Sequence, residues 1–300
     1  MLIGDLALGI SAVRLDFEPV SRGLVIGAAV VLWLVGWWLN ARLCRAETPA
    51  ARYLVPAIFG ATLLALWELL VRGLAVPAVI LPPPSAIWAA ITSNTGMLWA
   101  DFVQTVIRSV LPGYVMGCGA AILVALAIDR SPFLQRGLLP IGNLVAALPI
   151  VGIAPIMVMW FGFDWQSKAA VVVVMCFFPV LVNTMQGLSA ADRTSRELLQ
   201  TYAAGYWQTL WKLRLPAAAP HIFNGLKLCT TLALIGAIVA EFFGTPITGI
   251  GFRISTEIGR LALDTVWAEI AVAALAGSLL FGAVALIERF VTFWHPSMRR

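Results

Sequence analysis

Residues 167–188 read SKAAVVVVMCFFPVLVNTMQGL, an apolar stretch with a single charged side chain, Lys168. About 20 such residues are enough for a helix to cross the hydrocarbon core of a membrane. Similar segments recur along the chain, and the seven lie near 23–40, 54–72, 103–128, 138–161, 167–188, 222–243 and 268–291. This pattern predicts an all-α polytopic membrane protein rather than a soluble enzyme or a coiled coil.

The composition of the whole chain favours the same class. Of the 300 residues, 61% are hydrophobic and 12% are charged, and the mean hydropathy is +0.92. A soluble domain is about 45–50% apolar and about 25% charged, so this chain has too few charges to cover a water-facing surface. The net charge of +5 includes no basic run of five residues, which argues against nucleic acid as a partner.

The sequence gives no sign of bond chemistry. The four cysteines are Cys44, Cys118, Cys176 and Cys229. Because no two form a CxxC pair, we expect small packing residues rather than disulfides or a zinc site. Phosphate-loop, HExxH and GxSxG motifs are absent, and His221 and His295 are expected to be interfacial. No catalytic or metal-binding residue is therefore predicted.

The distribution of lysine and arginine predicts an orientation. With the N-terminus outside and the C-terminus in the cytoplasm, twelve of these residues fall inside and six outside. This arrangement places the polar segment 189–221 in the cytoplasm and segments 81–84 and 244–251 outside. Segment 23–40 lacks a basic region before it and a cleavage site after it, so we expect a retained helix rather than a secretory signal.

Segment 189–221 is too long and too polar for a simple turn. Ser195 is predicted to cap a helix with Glu197 in its first turn. Apolar residues then recur at helical spacing: Leu198, Leu199, Tyr202 and Ala203, followed by Trp207, Leu210, Trp211 and Leu213. Pro216 and Pro220 are predicted to close the segment. Two interpretations remain open, an interfacial helix lying on the membrane and a helix that docks into a cytoplasmic partner.

The same segment resembles the signature loop of ABC importer permeases. That pattern is Glu-Ala-Ala, three residues, Gly, nine residues, Ile-x-Leu-Pro. The aligned residues are Glu197, Leu198, Leu199, Ala203, Leu213, Leu215 and Pro216. Glu197, Leu215 and Pro216 are identical to the pattern, whereas Ala203 replaces its glycine.

Other elements are similar to the nitrate/sulfonate/taurine type of these permeases. They are LPPPS at 81–85, the run from Ala147 to Gly162, the run from Phe177 to Gly187, and Ala240-Glu241 with Gly249-Ile250-Gly251. The resemblance implies a six-span type I ABC importer permease core plus one extra N-terminal helix. It divides the chain into an extension at 1–53, a permease domain at 54–291 that contains the coupling loop 189–221, and a cytoplasmic tail at 292–300.

The resemblance also implies partners. Two permease copies, expected to be identical, would pair in a bacterial inner membrane, each above an ATP-binding cassette ATPase, with an extracytoplasmic substrate-binding protein outside. ATP and Mg²⁺ would bind in the ATPase, and this chain would bind no cofactor. In the loop, Glu197 would cap or salt-bridge the docking helix, Ala203 would allow close approach, and Pro216 would fix the turn back into the membrane.

The substrate class implied by the resemblance is a small solute. Nitrate, sulfonates, taurine and pyrimidine precursors of thiamine are the candidates, and the loop and tail favour the pyrimidine type. Specificity in such systems resides largely in the separate binding protein. Two alternatives for the whole chain are an ion-coupled secondary carrier and a membrane-embedded enzyme. Against them, no internal repeat and no cluster of catalytic residue types is visible.

Seven residues are candidates for the translocation pathway or its gate. They are Pro149, Pro155, Asn183, Gln186, Glu241, Gly249 and Gly251. The prolines would interrupt a span that lines the pathway, or merely kink it. The two amides would line the pathway or hydrogen-bond between helices. Glu241 would brace segment 244–251 near the outer gate, or reach water as a helix-end charge.

Other polar and small residues in the spans have simpler predicted roles. Glu68 and Arg108 are interpreted as helix-end charges, and Lys227 is expected to snorkel to the membrane surface. Gly113-x-x-x-Gly117 predicts close packing of two helices.

Overall fold

The structure is a computed structural model that describes residues 22–45, 50–131, 133–134, 137, 149–244 and 247–294. Within these ranges every regular element is helical. The helices are α1 (Arg22–Cys44), α2 (Ala51–Gly73), α3 (Pro84–Ser93), α4 (Thr95–Phe102), α5 (Leu111–Ile128), α6 (Ile150–Phe161), α7 (Trp165–Ser189), α8 (Arg193–Thr201), α9 (Tyr206–Thr209), α10 (Leu215–Glu241), α11 (Ile250–Gly259) and α12 (Leu263–Val291). Two π-helical segments, Val103–Val110 and Leu210–Arg214, join α4 to α5 and α9 to α10.

Six helices of the described chain are long and apolar enough to cross a membrane. They are Arg22–Cys44, Ala51–Gly73, Thr95–Ile128, Trp165–Ser189, Tyr206–Glu241 and Leu263–Val291. The all-α polytopic class is therefore confirmed. The predicted span 138–161 corresponds to the shorter apolar helix α6, and its residues 138–148 lie outside the described residues. The same holds for residues 1–21 of the predicted extension and 295–300 of the predicted tail.

The chain divides into two compact units, residues 1–88 and 89–300. In the first, α1 and α2 pack as an antiparallel pair through two glycines. A β-carbon at Gly36 would lie 2.6 Å from Thr62 Cγ2, and one at Gly73 would lie 2.5 Å from Val25 Cγ1. Because the glycines have no side chain, Thr62 and Val25 pack directly against the backbone of the other helix. The extra helix is thus held closely against the next span. The predicted domain boundary at residue 53 falls between these two helices and stays a prediction.

Glu68 of α2 is tied to the start of α3. Its two carboxylate oxygens accept hydrogen bonds from the Ser85 backbone N–H at 2.9 Å and the Ser85 hydroxyl at 2.7 Å. Pro84 occupies the first position of α3, where a missing N–H costs nothing. Arg72 forms an ion pair with Glu68. The carboxylate therefore satisfies a helix N-terminus, where the helix dipole favours negative charge.

In the second unit the core surrounds α7, which packs against α5, α6 and α10. A β-carbon at Gly113 would lie 2.7 Å from the Ala169 carbonyl oxygen, and one at Gly117 would lie 2.9 Å from Val173 Cα. Close packing at the Gly-x-x-x-Gly spacing is confirmed. Small residues on α5 thus let the two backbones approach more closely than larger side chains would allow.

Three of the four cysteines meet in this core. Cys118, Cys176 and Cys229 come from α5, α7 and α10, and their sulfur atoms lie within 4.8 Å of one another. The Cys176 thiol donates to the Cys229 carbonyl at 3.7 Å, and the Cys229 thiol donates to the Cys176 carbonyl at 3.5 Å. All three are buried, as packing residues are expected to be, and the absence of a metal site stays a prediction. The sequence pattern did not indicate that the three would meet.

The prediction that Pro216 and Pro220 close the loop segment is wrong, because both lie within a helix that continues past them. The chain does not turn at Pro216, because the helix runs without a break from Tyr206 to Glu241. The wider π-helical segment Leu210–Arg214 comes just before Pro216. In a regular α-helix the proline ring would clash with the carbonyl of the preceding turn, and the wider turn moves these carbonyls apart. The Lys227 ammonium group lies 2.8 Å from a Glu288 carboxylate oxygen on α12, and its snorkelling to the membrane surface stays a prediction.

Candidate functional site

Helix α8 occupies the centre of the predicted coupling loop. The Asp192 side chain accepts hydrogen bonds from the Ser195 N–H at 3.1 Å and the Ser195 hydroxyl at 3.3 Å. Asp192 is therefore the capping residue, and the prediction that Ser195 caps the helix is wrong. Both residue types cap helices well, but the chain becomes helical at Arg193, so Ser195 already lies inside the first turn.

The side chains of α8 remain on the surface, and none of its residues is buried. Arg193 donates from Nε to Glu197 Oε1 at 2.8 Å. Of the two roles implied for Glu197, the structure contains the salt bridge and not the cap. Leu198 is 56% exposed and Tyr202 is 75% exposed, whereas Leu199 is half-buried. The helix thus presents a small apolar patch beside charged side chains.

The end of α8 explains why a glycine belongs in the signature. Ala203 has φ = +52°, which is left-handed backbone that glycine adopts without cost. Its N–H donates to the Gln200 carbonyl at 2.9 Å, and the Ala204 N–H donates to the Leu199 carbonyl at 3.0 Å. This pair of bonds is the usual glycine-dependent helix ending. Here alanine holds the same conformation at some energetic cost.

An ion pair fixes the loop to the end of α5. Arg214 donates from Nη1 and Nη2 to the two carboxylate oxygens of Asp129, both at 2.6 Å. The Tyr206 hydroxyl donates to Asp129 Oδ2 at 2.8 Å. Asp129 has a side chain only 3% exposed, and that of Arg214 is 16% exposed. A bidentate, nearly buried pair of this kind is far more rigid than a surface salt bridge.

Arginines also tie the loop to the end of α7. The Leu188 carbonyl accepts a bond from Arg214 Nε at 3.1 Å, and the Ser189 carbonyl accepts one from Arg196 Nη2 at 2.7 Å. The Arg130 guanidinium lies over the ring of Tyr206, 4.5 Å from its centre. The two hydrogen bonds satisfy carbonyls that the last turn of α7 leaves open.

The leucines of the signature have different surroundings. Leu215 packs against the buried cluster of Leu188, Leu210 and Ala218, while Leu213 is half-buried. The first three residues of the signature thus lie on the exposed helix, and the last three lie on the helix that enters the spans. Together these contacts hold α8 at a fixed position relative to α5, α7 and α10.

Glu241 lies in a second polar cluster, at the opposite end of α10. Its carboxylate accepts hydrogen bonds from the Thr105 hydroxyl at 2.8 Å and from the Gly251 N–H at 2.7 Å. The Thr105 oxygen in turn accepts from the Ile250 N–H at 2.8 Å. Glu241 is 1% exposed, so it is not a charge that reaches water. It binds the first turn of α11, and the predicted gating role stays a prediction.

Asp101 completes this second polar cluster. Its carboxylate accepts a bond from the Gly249 N–H at 2.6 Å and pairs with Arg253 Nε at 2.9 Å. A helix N-terminus has unsatisfied N–H groups and attracts negative charge, and here Asp101, Thr105 and Glu241 accept hydrogen bonds from the N–H groups of three successive residues, 249 to 251.

Glycine is required twice in this first turn. Gly249 has φ = +135°, a conformation that side chains strain. A β-carbon at Gly251 would collide with the Ile238 carbonyl oxygen. The backbone of α11 can therefore lie this close to α10 only because Gly251 has no side chain.

The remaining pathway candidates are placed as follows. Pro149 precedes the first residue of α6, and Pro155 lies inside that helix. Asn183 donates to the Pro179 carbonyl of its own helix at 2.8 Å and lies against Gly225 of α10, so this hydrogen bond is not the one between helices that the alternative predicts. Gln186 is exposed. A role of these residues in the pathway stays a prediction.

Comparison with known proteins gives the family. Residues 113–293 match the binding-protein-dependent transport system inner membrane component family. The chain belongs to this family. This permease is 30% identical over 242 residues to the formylaminopyrimidine transport permease protein ThiX of Halalkalibacterium halodurans, covering 81% of this chain and 96% of the relative.

Two further relatives are similar over most of their length. The riboflavin transport system permease protein RibX of Chloroflexus aurantiacus is 29% identical over 239 residues, covering 78% of this chain and 88% of the relative. The taurine transport system permease protein TauC of Escherichia coli is 27% identical over 278 residues, covering 89% and 99%. The predicted ABC importer permease is thus confirmed, and the ion-coupled carrier and the membrane enzyme are set aside.

Sequence reasoning missed several residues of the permease that the structure makes prominent. Asp129 pairs with a residue 85 positions away, and no local pattern reveals such a contact. Asp101 and Thr105 lie at the start of a predicted span and look like ordinary helix-end polar residues. Asp192 was visible as a good cap, and its position three residues before Ser195 was the available signal.

Proposed function

We propose that the permease binds an ATP-binding cassette ATPase through α8 and transmits its movement into the spans. One observation carries this proposal. Helix α8 has no buried residue, yet both of its ends are fixed. Asp192 caps its start, the Ala203 backbone ends it, and Arg196 ties it to the Ser189 carbonyl at the end of α7. A short, rigid helix with an exposed apolar patch is suited to docking into a groove.

The interfacial alternative has less support. A helix that lies on a membrane needs a broad apolar face. In α8 the apolar residues are Leu198 and Leu199, against charged or polar side chains at its other seven positions. Such a face is too narrow for stable adsorption but is sufficient for two anchors in a protein groove.

The rest of the assembly follows from this role. Two identical permease copies would each bind one ATPase, which would hold ATP and Mg²⁺, and a substrate-binding protein would deliver cargo from outside. The family description, which names binding-protein-dependent transport, supports the last step. The excess of cations on one side, twelve against six, supports an inner-membrane orientation with the N-terminus outside and α8 in the cytoplasm.

The proposed cargo is a small nitrogen heterocycle of the formylaminopyrimidine type. It is supported by the similarity to ThiX and to RibX, whose names refer to formylaminopyrimidine and riboflavin. TauC, a relative named for taurine, makes a sulfonate the competing substrate. Uptake of both compounds by cells that express the permease with its partners would distinguish them.

A pair of matched variants tests the docking proposal. Leu198→Arg and Gln200→Arg each place a cation on an exposed position of α8, but about 200° apart around the helix. We expect Leu198→Arg to abolish co-purification of the cognate ATPase and its stimulated ATP turnover, and Gln200→Arg to keep both. Equal retention by the two variants would remove the docking role from this face.

The orientation has its own test. Cys44 is exposed, whereas the other three cysteines are buried, so an impermeant maleimide should label the native chain at one position. With the N-terminus outside, Cys44 lies on the cytoplasmic side. Labelling is expected in inside-out vesicles and not in intact cells, and the opposite result would invert the topology.

A further inference from the structure

The N-terminal helix pair contains a feature that transport does not use. Between α1 and α2 lies an apolar groove of about 240 Å³. Trp33 and Trp37 of α1 and Phe59 of α2 supply large parts of its wall, and all three rings are exposed by more than a third. The volume of the groove is smaller than that of a typical small-molecule pocket, which is about 300–1,000 Å³. Its dimensions suit a single hydrocarbon chain.

A cationic cleft adjoins this groove. It is lined by Trp38, Ala41, Arg42 and Arg45, has a volume of about 490 Å³, and shares Ala41 with the groove. The Arg42 guanidinium lies 4.8 Å from the centre of the Trp38 ring. In the part of the chain that the structure describes, neither arginine has a carboxylate within ion-pair distance. The sequence from 41 to 53 contains three arginines and one acidic residue, so this end is positive.

We propose that this surface binds one anionic phospholipid, with the phosphate at Arg42 and Arg45 and one acyl chain in the groove. An apolar channel that opens into a cationic cleft matches an amphiphile with a negative head. Arginine is suited to phosphate because its planar fork donates two parallel bonds. The proposal gives the extra helix a role that is separate from ATPase docking.

A second permease copy fits this surface less well. Two copies in one membrane related by a two-fold axis would bring the same patch against itself. Arg42 and Arg45 would then face the same residues of the other copy, and like charges repel. The phospholipid removes this charge conflict.

Native mass spectrometry of the full-length permease in detergent tests the proposal. The probes are palmitoyl-oleoyl phosphatidylglycerol and the matching phosphatidylcholine. Arg42→Gln with Arg45→Gln removes the cationic cleft, and Arg52→Gln is the matched control because Arg52 is exposed nearby but lines neither cavity. We expect one tightly bound phosphatidylglycerol in the wild type. Its affinity should fall about fivefold per arginine removed, and it should not change in Arg52→Gln.

Several results would overturn the inference. Equal binding of the two lipids would remove the anionic head group as the determinant. An equal loss in Arg52→Gln would show a diffuse charge effect instead of a site. If the double variant changes the number of permease copies and not the number of lipids, a second copy occupies the groove.

Discussion

The contact between Asp129 and Arg214 leads to the sharpest prediction. Asparagine at 129 keeps the shape of the side chain but loses the charge, and its amide N–H₂ cannot accept from a guanidinium. Removing one partner of a buried ion pair costs about 3–5 kcal/mol. Arg214 is 16% exposed and keeps its bond to the Leu188 carbonyl, so the lower end applies. We expect Asp129→Asn to lower the free energy of unfolding by about 3 kcal/mol.

The measurement is thermal unfolding of the purified permease in detergent, followed by intrinsic fluorescence. For a unit of this size, 1 kcal/mol corresponds to about 2–4 °C in Tm, so the expected shift is roughly 6–12 °C. Glu197→Gln is the matched control, because it makes the same chemical change in the pair with Arg193, whose side chains are 91% and 59% exposed. An exposed pair of that kind is worth about 0.2–1 kcal/mol, and its loss should shift Tm by less than about 4 °C.

A double-mutant cycle decides whether the pair itself is responsible. Arg214→Met in the Asp129→Asn background should cost much less than it does alone, because the interaction is already lost. If the two effects add fully, the stability comes from other contacts of each residue. Equal Tm shifts in Asp129→Asn and Glu197→Gln would refute the reasoning that burial makes this ion pair the anchor of the loop.

Three further outcomes are expected. Ala203→Gly should stabilise the end of α8 by about 0.5–1 kcal/mol, because it relieves left-handed backbone; hydrogen exchange of the loop should slow accordingly. Gly251→Ala should destabilise by about 1–3 kcal/mol through overpacking, whereas Gly259→Ala, whose β-carbon meets nothing within 4 Å, should leave Tm unchanged. Lys227→Met should lower Tm by leaving Glu288 without its partner, and adding Glu288→Gln should restore part of the loss.

Much of the fold was readable because the membrane imposes a simple rule on sequence. A spanning helix must be apolar over about 20 residues, so α1, α2, α7 and α12 were placed within a few residues of their ends. The rule fails where a helix continues beyond the bilayer. Tyr206–Glu241 has 36 residues, or about 54 Å at 1.5 Å per residue, against a hydrocarbon core of about 30 Å. Its polar beginning therefore looked like a separate loop helix.

Prolines led to the other error in the membrane-entering segment. Pro216 usually predicts a break, since the ring removes a donor and crowds a carbonyl. The π-helical segment Leu210–Arg214 allows the helix to continue through the proline. No residue type in the sequence indicates where such a segment occurs. Similarly, Val103–Val110 is π-helical and brings Thr105 to Glu241, a rotation that a regular 3.6-residue period does not predict.

The residues of the candidate site also divide into those that a local pattern predicts and those that only tertiary contacts reveal. Glu197, Leu215 and Pro216 were found because the signature is contiguous, and the conformation of Ala203 gives its glycine position a physical reason. Asp129 and Asp101 were not found, because their partners are distant in sequence and become neighbours only when spans pack. Local pattern thus identifies which segment is functional, while the anchors of that segment require the tertiary structure.

Two continuous helices connect the loop network with the polar cluster around Glu241. The run Thr95–Ile128 carries Asp101 and Thr105 at one end and is followed by Asp129 at the other, and the run Tyr206–Glu241 joins Arg214 to Glu241. From 214 to 241 the rise is about 40 Å. Because both helices pack on α7 through close contacts, and packed interiors compress little, a displacement of the loop reaches the first turn of α11. If this connection is real, Gly251→Ala should alter permease-stimulated ATP turnover as well as Tm. If turnover responds only to variants of the loop, the two clusters act independently and the cluster around Glu241 is merely structural.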